Sequence, residues 1–176
     1  MTTKLKHILT WVFTGKYLKL NDTTASSGLA GQNLFAGNTS TTFGVGSGYS
    51  SNTSGNDYIA YCFAEVEGYS KFGSYTGNGS TDGPMIWTGF RPSFVLTKMT
   101  SSTGNWMITD NARNTYNLSD LILMPNNSDT EYSQDGIDML SNGFKLRAST
   151  VNRNSSGGTY IYMAFAEMPA KYSLGR

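Results

Sequence analysis

Runs in which apolar or β-branched residues alternate with polar ones recur along the chain, separated by Gly, Asn and Ser. They are KYLKLN at 16–21, TTFGVG at 41–46, DYIAYCFAEV at 57–66, PMIWTGF at 84–90, FVLTKM at 94–99 and NWMITD at 105–110. The pattern continues through DLILMP at 120–125, IDML at 137–140, FKLRAS at 144–149 and TYIYMAFAEM at 159–168. A period of two with turn-forming punctuation predicts about ten short strands and an all-β fold, an antiparallel, jelly-roll-like β-sandwich. No segment beyond residue 13 carries a helical period, and LKHILTWVF at 5–13 reads as an edge strand or an arm. Two hairpins are signalled. One places Asn142-Gly143 in a type I′ turn, where both central residues need positive φ, and the other returns through Ser101 to Gly104.

One segment is written twice. Tyr58, Ile59, Phe63, Ala64 and Glu65 recur without a gap as Tyr160, Ile161, Phe165, Ala166 and Glu167, and Gly55 recurs as Gly157. The repeat predicts two related β-modules, the first truncated: an arm at 1–15, a first module at 16–68 and a second at 69–176, or one continuous sandwich. In the first copy Ile59, Tyr61 and Phe63 alternate with Tyr58, Ala60, Cys62 and Ala64, so both faces are apolar. A strand of that kind is expected to be central and covered on both sides. Tyr58, Ile59, Phe63, Glu65, Tyr160, Ile161, Phe165 and Glu167 are therefore the expected repeat core, with each glutamate at a strand end.

Composition narrows the function. Charged residues make up 14%, while Gly, Ser, Thr and Asn fill 77 of 176 positions, so the surface is built from short neutral polar groups. The formal charge is +1 and basic residues are scattered apart from Lys4, Lys6 and His7. Without a basic stripe there is nothing for a phosphate backbone to follow, and nucleic acid is not an expected partner. Cys62 is the single cysteine, which excludes an intrachain disulfide. The start, KLKHILTWVF, is too short for a membrane span and lacks a small-residue cleavage site, so neither a span nor a signal peptide is expected. Asn-x-Ser/Thr triplets at Asn21, Asn38, Asn52, Asn78, Asn117, Asn126 and Asn154 are what an Asn-, Ser- and Thr-rich chain produces by chance.

Candidate chemistry is sparse. Glu65 and Glu167 could form the carboxylate pair of a glycoside hydrolase, but their equivalence within the repeat explains them as strand-end or ion-pairing groups. The one His, His7, lies in the N-terminal arm and the one Cys in a core-like run, so no Cys/His or Ser/His/Asp arrangement is nominated; composition leaves a Ser with a Lys base open but nothing recommends it, zinc is equally unsupported, and no catalytic residue is named. Asp129, Glu131, Asp135 and Asp138 form an acidic loop that is a candidate calcium site, although the spacing does not match an EF-hand and solvated turn acids are the competing reading. No other cofactor is expected. Tyr75, Trp87, Trp106 and Tyr116 lie beside Gly- and Asn-rich loops and are candidate platforms for a sugar face, weighed against ordinary core packing.

The near-continuous run YIAYCFAEVEGYSKFGSYTGNGSTDGPMIWTGFRPSFVLTKMTSSTGNWMITDNARNTYN, followed by GIDMLSNGFKLR and GGTYIYMAFAEMPAKY, resembles a β-rich repeat domain. That domain is found at the C-termini of virion structural proteins of tailed phages, marine ones especially, often after a laminin-G or concanavalin-like sandwich. The resemblance covers residues 53–173 closely and 16–52 loosely, while the opening MTTKLKHILTWVF departs from it. It implies a virion-located structural protein, not an enzyme, in a tail fibre, appendage or capsid-surface decoration. The implied partners are other virion proteins and further copies of the chain, a trimer among the expected homo-oligomers. A carbohydrate-binding module for host surface glycans is the alternative reading, and a polysaccharide hydrolase the third.

Overall fold

A computed structural model describes residues 8–9, 16–28, 34, 39, 41–48 and 51–167. The fold is all-β and every strand pairing is antiparallel. The strands are β1 (Ile8–Leu9), β2 (Lys16–Lys19), β3 (Ser27–Gly28), β4 (Ser70–Thr76), β5 (Met85–Trp87), β6 (Phe94–Met99), β7 (Trp106–Asp110), β8 (Ser119–Ile122), β9 (Tyr132–Leu140), β10 (Gly143–Leu146) and β11 (Thr159–Phe165). Two four-stranded sheets, ordered β4-β11-β6-β7 and β5-β10-β9-β8, carry the core, and a small sheet β1-β2-β3 forms a third layer. No helix among the described residues is long and apolar enough to cross a membrane.

The period-2 pattern explains how the layers meet. On one face of the β4-β11-β6-β7 sheet, Val95, Tyr162 and Ala164 join Ile86, Ile137, Met139, Phe144 and Leu146 of the facing sheet in one buried cluster. On the opposite face, Leu96, Trp106, Ile161 and Met163 pack beneath Leu18 of β2. Alternate residues of β11 thus serve two cores at once. The Trp106 indole N–H donates to the Lys19 carbonyl at 2.9 Å, and the Lys98 ammonium donates to the carbonyls of Thr23, Thr24 and Met99, tying the N-terminal layer down. Three carbonyls match its three donors, although burial still pulls the Lys98 pKa down to about 8 against the opposing pull of Asp22.

The hairpin through residues 101–104 forms as expected, with Lys98 opposite Trp106. The other hairpin is shifted by one residue. Gly143 pairs with Leu140, which leaves Ser141 and Asn142 as the loop, and neither has positive φ. The glycine answers a different demand: a Cβ on Gly143 would sit 2.1 Å from the Ile86 carbonyl oxygen, so β5 could not approach. The pattern also missed β4, whose SKFGSYT carries too few apolar residues to register, and residues 41–46 contribute only a bridge at Val45.

The larger correction concerns the repeat. Tyr160 and Ile161 are buried in β11 and Phe165 is half-buried, whereas residues 57–66 form no strand. Tyr58 is 46% exposed, Ile59 77%, Tyr61 81% and Phe63 55%. An apolar sequence was expected to find cover on both faces, but among the described residues nothing pairs with the backbone of residues 59–63. Met168, Lys4, Lys6 and His7 lie outside the described residues.

Phe144→Ala should therefore cost about 3–5 kcal/mol in chemical denaturation, as expected for emptying a buried aromatic site. Phe63→Ala should cost about 1–2 kcal/mol, the scale of its two aromatic pairs, with Phe72 and Phe165. Equal losses would place residues 57–66 inside the core.

Candidate functional site

The exposed copy of the repeat is nevertheless held in a defined way. The Gly48 carbonyl accepts from the N–H groups of Ser51 and Asn52, just as that of Thr150 accepts from Arg153 and Asn154. Asn56 N–H donates to the Thr53 carbonyl as Gly158 N–H does to that of Ser155. Thr53 N–H donates to the Tyr58 hydroxyl at 3.0 Å, and Ser155 N–H to the Tyr160 hydroxyl at 2.9 Å. Gly55 and Gly157 both adopt positive φ, 80° and 71°. The lead-in to the two copies therefore follows the same turns, and the copies diverge where β11 begins at Thr159.

The far end of the segment is clasped to β4. Val66 and Ser70 form a two-way backbone bridge, and the Ser70 hydroxyl donates to the Ala64 carbonyl at 2.8 Å. The Glu65 carboxylate accepts from Lys71 Nζ at 2.7 Å and from the Phe72 backbone N–H at 3.1 Å. The Lys71 hydrogen bond leads, ahead of the opposing effect of burial, in holding the Glu65 carboxyl below its ordinary value. Phe63 leaves the line of the β4 edge and lays its ring on Phe165 and Phe72, at 5.8 and 6.5 Å between centroids. Glu65 thus substitutes a side-chain acceptor for the carbonyl that a continuing ladder would present to Phe72.

Beside this clasp lies an open cleft of about 330 Å³, lined by Glu65, Val66, Lys71, Trp87 and Thr88. Glu167 lines a different cleft of about 410 Å³ with Arg91 and Asn111. The two repeated glutamates thus line different clefts.

The four candidate sugar platforms are dispersed. Trp87 and Tyr116 are 63% and 83% exposed, and Trp87 alone of the four lines a cleft reported above. Trp106 is buried and presents no face to solvent. The Tyr75 hydroxyl donates to the Arg153 carbonyl while its ring stacks on Tyr160 at 5.0 Å, and burial raises its pKa strongly. The candidate calcium acids are likewise spread over other tasks. Asp129 accepts from Asn127, Glu131 pairs with Arg113 and Asp138 pairs with Arg147. Asp135 is buried at positive φ, and among the described residues no group of three metal-ligating side chains gathers.

Pattern reading overlooked two buried polar residues of the β10–β11 loop. The Asn154 amide nitrogen shares its two N–H donors among acceptors on Asn78, Ser80 and Ala148, and its oxygen accepts from the Asn78 N–H, locking two loops together. The Arg153 guanidinium donates to the Thr109 hydroxyl from a fully buried position, and burial pulls its pKa down to about 10. An Asn-x-Ser triplet and a lone Arg in a polar loop carry no period, so only the packed structure reveals them.

The clasp carries a pH signature. Because the folded-state pKa of Glu65 is depressed, its contribution is present above the ordinary glutamate value and is lost as pH falls through the folded value. The Phe72 amide resonance should titrate with a midpoint below that of an ordinary glutamate, and Lys71→Ala should move the midpoint upward. An amide shift insensitive to pH would remove Glu65 from the clasp.

No curated protein and no solved structure matches this chain. A family model described as a domain of unknown function, DUF7483, matches residues 2–169, and the chain belongs to that family.

Proposed function

We propose that this chain is a structural subunit of a tailed-phage virion, in a fibre, appendage or capsid-surface position, and that it works by assembly with neighbouring copies. The observation that carries the assembly reading is the exposure of residues 59–63, a segment apolar on both faces whose backbone has no partner among the described residues. Such a surface is costly to leave in water and marks an interaction site. The resemblance to phage virion repeat domains supports the virion setting, and the neutral, disulfide-free composition suits a particle exposed to the medium. In this reading the two four-stranded sheets are a jelly-roll-like sandwich, and residues 16–68 are a truncated version of the same module.

Light scattering should show a mass that rises from one chain toward a fixed multiple as concentration increases through the micromolar range. A mass of one chain throughout that range would remove self-assembly. Antibodies raised against the chain should decorate intact particles in electron micrographs.

A second reading, glycan recognition, has one observation in its favour. Trp87 stands exposed in the cleft beside the Glu65–Lys71 pair, combining an apolar ring with polar hydrogen-bonding groups. On a glycan array, binding that disappears in Trp87→Ala with an unchanged Tm would support it. Trp106→Ala should instead lower Tm sharply, since that indole is buried beneath β2.

A further inference from the structure

The repeat supplies a donor and β4 supplies an acceptor. β11 is a central strand paired on both sides, with β4 and with β6. Residues 57–66 carry the β11 sequence and enter through the same turns, yet residues 59–62 have no backbone partner among the described residues. They present the hydrogen-bonding groups of a strand and the apolar faces of a core segment, both in solvent.

β4 has the complementary deficiency. Antiparallel pairing sends the N–H and C=O of alternate residues to opposite sides. Ser70 turns both groups outward to Val66, and Phe72 turns its N–H outward to Glu65. Ser74 and Thr76 share that parity, so their backbone groups face the outer edge, where no described residue meets them. The inner edge of the same strand already binds the repeat sequence, as β11.

The chain's own segment does not occupy this edge. Its last residues are clasped with Phe63 on the sheet face and with the Glu65 carboxylate on the Phe72 N–H. From that position the backbone of residues 59–62 leaves the edge beyond Phe72 open.

We propose that residues 59–62 of one copy add as a strand to the outer edge of β4 in a second copy, extending its sheet to five strands. This rests on the assembly reading above and names its contact. Each chain carries one donor and one acceptor, so the contact is heterologous unless two reciprocal exchanges close a dimer. Backbone pairing supplies the ladder, and the exposed Ile59 and Tyr61 supply the side chains that fix its face.

The test uses two variants that leave the folded chain intact. Tyr61→Asp charges an exposed donor residue, and Ser74→Pro removes an outward N–H at an edge position where proline is tolerated. Circular dichroism and Tm should match wild type for both. By analytical ultracentrifugation, each variant alone should self-associate about tenfold or more weakly than wild type. Mixing the two should restore a complex containing one of each, because the Ser74→Pro chain still donates and the Tyr61→Asp chain still accepts.

If wild type associates and both variants associate as wild type does, the strand-addition contact is wrong while the assembly reading stands. If Tyr61→Asp blocks association but Ser74→Pro does not, or if the mixture fails to form a complex, the donor docks elsewhere and the proposal is overturned. If wild type remains a single chain at all concentrations, the assembly reading fails together with it. Should Ser74→Pro lower Tm, Thr76→Pro repeats the acceptor test at the next outward position.

Discussion

The ladder around β11 is the constraint on which the rest of the fold depends. Seven of its residues pair with β4 and six with β6, so its backbone is satisfied on both sides. Its side chains alternate between two cores: Tyr162 and Ala164 face one, Ile161 and Met163 the other. Both principal sheets and the N-terminal layer are positioned by that one strand. Bulk there is limited from both directions, as the fully buried Ala164 illustrates.

Much of the fold was legible in the sequence, because strand periodicity and turn residues are local properties. FVLTKM, NWMITD and TYIYMAF became strands at nearly the expected bounds, and the repeat is matched by the same sequence of turns before each copy. What could not be read depends on partners distant in the chain. The first copy looks as buried as the second because its residues are as apolar, but cover requires flanking strands, and a segment's own sequence does not supply them. β4 shows the reverse: Gly73 lets the Tyr162 ring cross it, so a weakly apolar segment still becomes a strand. Of the candidate site, Trp87 was visible as an aromatic beside a glycine, while the Glu65–Lys71–Phe72 clasp required the return of the chain onto β4.

The abundance of asparagine also gains a physical meaning. Asn117 exchanges two amide hydrogen bonds with the backbone of Met139, and Asn126 accepts from the Trp106 N–H while donating to Asn105. Asn114 accepts from the N–H groups of both Asp120 and Leu121. Side-chain amides therefore complete the hydrogen bonding of strand ends and loops, a task for which a neutral group with both donor and acceptor is suited. This permits a low charge content without leaving backbone groups unpaired in those loops, and it explains why several Asn-x-Ser/Thr triplets are fixed by packing.

The duplicated segment has a kinetic consequence as well. Residues 57–66 lie immediately before β4 in the chain, whereas β11 lies more than eighty residues after it. Closing the short loop loses less chain entropy than closing the long one, which favours early contact between the nearby copy and β4. Because the two copies carry related sequences, early pairing with the wrong edge would block the place that β11 must take. In the folded chain the Glu65 carboxylate engages Lys71 and Phe72 at the outer edge, while β11 occupies the inner one. The glutamate that ends the first copy thus holds the nearer of two related segments on the outer side of β4, while the distant one takes the centre of the sheet.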